Sequence, residues 1–344
     1  MDFQKAIKQL ARLTTVMFVL VLGFFGAVIL YQLKPSLFYT HQAETDLTDW
    51  FPPAIDTDLP EDERGRQIRY GYLLLTETSK WMGPQVKNPD MQYAGNNLAC
   101  KNCHLNAGKQ AGSASWIGVT ERYPQFRARE NKVGTIEDRI NGCMERSVNG
   151  RKLPENSKQM KAIVAYMEWL SEGIPQEKVY AFSGFPDIKL PELAADPAIG
   201  KSVYERECML CHGKNGEGVW LADSSKGYQF PPLWGPDSYN HGAGMNRVIT
   251  AAEFIKANMP FGQASHDKPK LSDEEAYHVA AYIDSFERPL KENAEADFPD
   301  IQLKHVSTPY GPWADDFPAE QHKYGPFGPI MRYYKDKYDI TKTK

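Results

Sequence analysis

Charge of one sign is missing from this chain of 344 residues: basic and acidic side chains nearly balance, leaving a formal net charge of -4. That balance excludes a generally basic nucleic-acid binder. Charge of either sign is absent from residues 13–33, a run rich in Val, Leu, Phe and Ile. Such a run is long enough to cross a hydrocarbon core of about 30 Å as a helix. No small-x-small cleavage site comes after it, which argues against a removed signal peptide and for a retained anchor. Lys5, Lys8 and Arg12 precede the run, and acidic residues dominate the polar stretch on its C-terminal side. The positive-inside rule then predicts a membrane-anchored protein of the cytoplasmic (inner) membrane, with a single N-terminal anchor and everything after it in the periplasm.

Cysteine is scarce as well. Four of the five fall into Cys100-Lys101-Asn102-Cys103-His104 and Cys208-Met209-Leu210-Cys211-His212, and Cys143 stands alone. A zinc site built on the first cluster would need further ligands. None is at hand: no histidine lies between His104 and His212, and Cys143 is the only other cysteine before residue 208. Two complete C-x-x-C-H patterns in an exported chain read instead as attachment sites for two covalently bound haem c groups. On a helical turn, Cys100, Cys103 and His104 share a face, so two sulfurs can form thioethers while the imidazole ligates iron. Cys208, Cys211 and His212 repeat the arrangement.

The two motifs are offset by 108 residues and define an internal repeat. In the second copy, residues 197–207 read as a helix entering the motif, and Thr250 with Glu253 and Ser272 with Glu275 read as two capping boxes, each opening a helix. The helix expected at 273–286 buries Ala276, Val279, Ala280 and Ile283. This order is that of a small cytochrome c domain, whose sixth iron ligand comes from the loop before the closing helix. Met259 occupies that place, with Met245, His241 and His266 as competitors.

The first copy obeys the same template. An amphipathic helix is predicted over 61–81, a capping-box start at Thr135 to Asp138, and a closing helix over 157–170. Cys143 then holds the place of Met259, and Met144 fits the spacing nearly as well. Arg139, Cys143 and Ser147 lie at i, i+4 and i+8 on one helix face, so a cation and a hydroxyl flank the thiol. Between Arg122 and Lys152 eight Lys or Arg face four acids, a locally basic stretch in an acidic chain.

The run Asp138-Arg139-Ile140-Asn141-Gly142-Cys143-Met144-Glu145-Arg146-Ser147-Val148-Asn149-Gly150, with Gly95-Asn96-Asn97-Leu98 before the first haem motif and Ala257-Asn258-Met259-Pro260 after the second, resembles the TsdA-type dihaem thiosulfate dehydrogenases. That family is related to the haem subunit of the Sox system. The resemblance covers roughly residues 60–290 and implies several things. Haem 1 is ligated by His104 and Cys143, and haem 2 by His212 and Met259. Arg129, Arg139 and Ser147 join Cys143 at the active site. Some members carry a lysine before the methionine that can replace it as ligand, and Asn258 stands there in this chain. The implied activity is the interconversion of thiosulfate and tetrathionate. The implied partner is a redox protein such as a small cytochrome c or a membrane electron-transfer complex. The rival reading is a membrane-anchored dihaem cytochrome c acting purely as an electron carrier, which would ligate both haems with methionine.

The expected fold class is mainly α. The chain reads as a membrane anchor (1–35), a linker (36–60), cytochrome c domain 1 (61–172), a linker (173–195), cytochrome c domain 2 (196–288) and an irregular Pro- and aromatic-rich C-terminal arm (289–344). The arm is expected to lie extended on the two domains, because aromatics at this density seldom stay in water.

Overall fold

The computed structural model describes residues 3–33 and 50–344, and divides the chain into two compact units, Met1–Trp50 and Phe51–Lys344. In the first unit a helix, α1, spans Phe3–Leu33. The expected transmembrane helix is corrected: among the described residues, no helix is long and apolar enough to cross a membrane. Most of the linker expected at 36–60 lies outside the described residues.

The second unit is mainly helical. It runs through α2 (Glu63–Thr76), α3 (Thr78–Met82), a hairpin of β1 (Gln125–Arg127) and β2 (Lys132–Gly134), then α4 (Ile136–Arg146) and α5 (Lys158–Trp169). Next come α6 (Pro197–Glu207), α7 (Met209–His212), a second pair β3 (Val219–Trp220) and β4 (Tyr228–Phe230), α8 (Val248–Asn258) and α9 (Asp273–Asp284). The helix expected at 61–81 is thus two, broken at Glu77, whose backbone leaves the helical region.

The repeat is visible as two matching helix crossings. α2 packs on α5, and α6 packs on α9. Each crossing is made close by a glycine. A Cβ at Gly71 would fall 1.9 Å from the Ala162 carbonyl oxygen and 3.0 Å from Tyr166 Cβ; one at Gly200 would fall 2.0 Å from the His278 carbonyl oxygen and 2.8 Å from Tyr282 Cβ. Only glycine lets the backbones approach so closely. The closing helices begin as their sequences predict. The Ser157 hydroxyl accepts from Met160 N–H, and the Ser272 hydroxyl accepts from Glu275 N–H while the Glu275 carboxylate accepts from Ser272 N–H. The box expected at Thr250 and Glu253 fails. α8 starts three residues earlier, with Arg247 as its N-cap and no side-chain cap, and the Glu253 carboxylate pairs with Lys344 at 2.7 Å instead.

The C-terminal arm differs from its expected irregular form. It contains α10 (Ala319–Tyr324) and α11 (Phe327–Tyr338), and Phe327, Ile330 and Tyr334 are buried in the core built around α6, α8 and α9. Two of the prolines that made the arm look irregular, Pro318 and Pro326, are the N-caps of these helices, and Pro329 sits in the first turn of α11. A charged network fixes the arm further. Asp315 accepts from Tyr334 Oη at 2.6 Å and pairs with the His322 Nε2 at 2.9 Å.

Candidate functional site

Cys100, Cys103 and His104 line an apolar cavity of about 250 Å³ together with Leu75, Leu98, Trp116 and Ile163. His104 Nδ1 donates to the Ala114 carbonyl at 2.7 Å, which leaves Nε2 for a metal. In the second copy Cys208, Cys211 and His212 line a cavity of about 380 Å³, and His212 Nδ1 donates to the Pro231 carbonyl at 2.8 Å. Burial pushes the Cys100, Cys103 and Cys208 thiols up to about 12. Among the described residues, no group of three or more His, Cys, Asp or Glu side chains is arranged to hold a metal ion. Paired cysteines and one oriented imidazole at the wall of an apolar cavity suit a covalently attached haem in each copy.

Met259 caps α8, its N–H donating to the Ile255 carbonyl at 2.8 Å, and lines the second cavity with His212. Of its competitors, Met245 lines that cavity too. His241 does not: its Nδ1 accepts from Lys291 N–H at 2.8 Å. His266 pairs with Asp267 elsewhere. Asn258, next to Met259, is held in the domain interface, its amide donating to the carbonyls of Gly112 and Phe254 and accepting from Gln110. Cys103 lines both cavities, so the two sites adjoin.

Cys143 sits on α4, and the sequence before it explains its placement. The β1–β2 hairpin ends at Gly134, Thr135 caps α4 by accepting from Asp138 N–H, and the Asp138 carboxylate accepts from Thr135 N–H in return. Two turns of helix then carry Arg139, Cys143 and Ser147 onto the wall of the first cavity. Arg139 Nη1 donates to Cys143 Sγ at 2.6 Å, and His104 lies within hydrogen-bonding reach of the same sulfur. Burial pushes the Cys143 thiol up, but the positive charge of Arg139 and the His104 contact outweigh it and bring it down to about 6. The result is a sulfur held as thiolate at neutral pH, opposite in character to Cys100 and Cys103. Met144, the alternative from spacing, is buried and lines the first cavity as well.

From Cys143 a second, larger cavity of about 690 Å³ opens, and Arg129, Arg139 and Ser147 line it. Arg129 Nη1 donates to Asp297 at 2.7 Å and to the Gly242 carbonyl at 2.9 Å, and its guanidinium stacks on Phe298. Arg146 closes on the same carboxylate at 2.6 Å. Burial pushes Asp297 up, but the hydrogen bond and charge of Arg146, with Arg129, hold it down at about 2. The four expected site residues are therefore brought together, with Arg129 braced by an acid.

Sequence reasoning missed Asp297, Arg247 and residues 340–344, all of which build or line this cavity or its braces. Val306 N–H donates to the Thr343 carbonyl, and Arg247 Nη1 to a main-chain oxygen of Lys344, holding residues 343 and 344 along the wall. No local pattern announces contacts across such sequence distances.

Two tandem cytochrome c domains with paired haem-attachment cysteines define a dihaem c-type cytochrome. Residues 91–176 match the SoxA/TsdA cytochrome c domain family and residues 197–287 the cytochrome c family. The chain is 40% identical over 239 residues to the thiosulfate dehydrogenase of Thiomonas intermedia, covering 70% of this chain and 71% of that one. It is 41% identical over 243 residues to that of Allochromatium vinosum, covering 70% and 84%. The solved thiosulfate dehydrogenase TsdBA of Marichromatium purpuratum superposes with a TM-score of 0.63 at 35% identity; the match covers 71% of this chain and 50% of that chain. The chain belongs to the thiosulfate dehydrogenase family, and carries two c-type haems.

Proposed function

We propose that this chain interconverts thiosulfate and tetrathionate, two thiosulfates giving one tetrathionate and two electrons. The observation that carries the reading is the contact of Arg139 with Cys143 Sγ where an apolar haem cavity meets a cationic one. His104 and Cys143 would hold the first iron, and His212 and Met259 the second; bound there, the haems supply one-electron acceptors. Arg139 keeps Cys143 as a thiolate. That sulfur bonds to the outer sulfur of one thiosulfate with loss of two electrons, leaving a Cys143–S–SO₃⁻ adduct. A second thiosulfate attacks the adduct's sulfane sulfur, releasing tetrathionate and restoring the thiolate. Arg139 and Arg129 grip sulfonate oxygens through charge-assisted hydrogen bonds, and Ser147 adds a hydroxyl. Asp297 fixes the Arg129 guanidinium so that little side-chain entropy is lost on binding.

Haems bound at the two adjoining sites would carry the electrons on to a redox partner such as a small cytochrome c or a membrane electron-transfer complex. The reading places the haem domains in the periplasm, where covalent haem attachment occurs. A pure electron carrier would not need an open cavity lined by guanidiniums. An anaerobic assay on the holoprotein, with thiosulfate plus an oxidant and tetrathionate plus a reductant, tests the proposal. Wild type turns over and Cys143→Ala does not; equal rates in both would remove Cys143 from the chemistry.

A further inference from the structure

A carboxylate that braces an arginine also cancels its charge. Asp297 holds Arg129 at 2.7 Å, and an isolated, neutral Arg129–Asp297 pair would exert little pull on a sulfonate. Arg146 changes that balance. It grips Asp297 with two bonds, Nη2 to Oδ1 at 2.6 Å and Nε to Oδ2 at 3.2 Å, the bidentate geometry of a strong guanidinium–carboxylate pair. Arg146 and Asp297 are 7% and 6% exposed, so water screens this pair little. Lys291 stands farther from the carboxylate, at 3.6 Å, and bonds the carbonyls of Glu292 and Asn293. The other acids near Arg146 are more distant: Glu130 at 3.9 Å, itself paired with Arg127 at 2.9 Å, and Glu145 at 4.0 Å. Three cations therefore gather around one acid. The two arginines use their nitrogens differently. Arg129 reaches Asp297, the Gly242 carbonyl and the Tyr310 hydroxyl from Nη1 alone, so among the described residues Nε and Nη2 keep their N–H groups for a ligand. Arg146 has all three nitrogens engaged, the third, Nη1, on the Gly142 carbonyl at 3.2 Å. Both line the cavity that Cys143 lines, and Arg146 lies one turn beyond that cysteine on α4.

We infer that Arg146 is a positioning residue for substrate binding: by taking up the charge of Asp297, it lets that acid orient Arg129 while Arg129 keeps its positive charge for a sulfonate. The inference rests on the thiosulfate–tetrathionate reading. Arg146 acts through Asp297 rather than by touching the anion, since its own donors are spent. The arrangement gives a cationic site both rigidity and charge, where a lone carboxylate brace would trade one for the other.

The test is steady-state kinetics of the holoprotein with thiosulfate and an oxidant, for wild type, Arg146→Gln, Arg146→Lys and the double variant Arg146→Gln/Asp297→Asn. In Arg146→Gln the charge of Asp297 falls on Arg129, so KM rises about tenfold while kcat changes by less than about twofold, the pattern of lost uniform binding. Arg146→Lys keeps the cation and holds KM within about threefold of wild type. The double variant removes the acid's charge together with the cation's, and its new amide still accepts a bond from Arg129, so KM returns to within about threefold of wild type. A merely structural role predicts the reverse, a double variant at least as impaired as the single one. A wild-type KM in Arg146→Gln, or a double variant no better than it, overturns the inference. Should Arg146→Gln fail to retain its haems, Arg146→Lys and the double variant decide: KM near wild type in both supports the charge argument, and a tenfold rise in either refutes it. A wild type that turns over neither thiosulfate nor tetrathionate removes the parent reading, and this inference with it.

Discussion

The two haem units share a scaffold and differ in what they place between the attachment motif and the closing helix. Both cross their first and last helices at a glycine, Gly71 of α2 against α5 and Gly200 of α6 against α9, and both orient a histidine through a backbone carbonyl. In the first unit a charged hairpin and α4 bring Arg139 and Cys143 to the cavity; in the second, α8 ends at Met259 among apolar side chains. The difference teaches that one ligand position supports two chemistries according to the charges around it. A thioether in an apolar wall favours electron transfer, and a thiolate beside guanidiniums adds anion capture and covalent sulfur chemistry.

The sharpest way to break the comparison is to exchange what differs. Cys143→Ala lowers kcat/KM by at least about 10³-fold, because it removes the nucleophile, whereas Met259→Ala shifts the potential of the second haem and leaves the first haem's spectrum unchanged. Potentiometric titration followed optically reads both. Arg139→Ala costs about 10²-fold in kcat/KM, as expected for removal of one charge-stabilising donor. The Cys143 thiol then rises from about 6, so activity retreats toward higher pH. A pH–rate profile checks the sign: the folded-state value is depressed by Arg139, so losing Arg139 moves the acidic limb upward.

What the units share gives smaller effects of equal size. Gly71→Ala and Gly200→Ala each destabilise by about 1–3 kcal/mol, because a methyl group has no room against the carbonyl of the facing helix. Urea midpoints should fall in both variants, and a fall in one alone would show that the crossings are not equivalent. The smallest effect is at the caps. Thr135→Ala and Ser272→Ala each cost about 1 kcal/mol, measurable as a modest drop in Tm.

Much of this architecture is legible because it is local. The C-x-x-C-H motifs, the caps at Thr135, Ser157 and Ser272, and the register of Arg139, Cys143 and Ser147 depend on residues within a few turns of one another. What the sequence conceals is long-range. Thr250 and Glu253 spell a capping box, yet Glu253 is taken by Lys344, 91 residues away. Asp297 braces Arg129 from a segment that reads as a proline-rich tail, and that tail's Phe327 and Tyr334 enter the core of the second domain. The N-terminal apolar run likewise suggests a span, which the described helix does not supply.

The central claim is that the sulfur of Cys143, held by Arg139, is a ligand of the first haem and the reactive group of the site. Electron paramagnetic resonance of the oxidised holoprotein tests it most directly. A low-spin signal of a thiolate-ligated haem should accompany that of a His/Met haem, and should vanish in Cys143→Ala while the His/Met signal stays. A wild-type spectrum containing only His/Met haems would contradict the account.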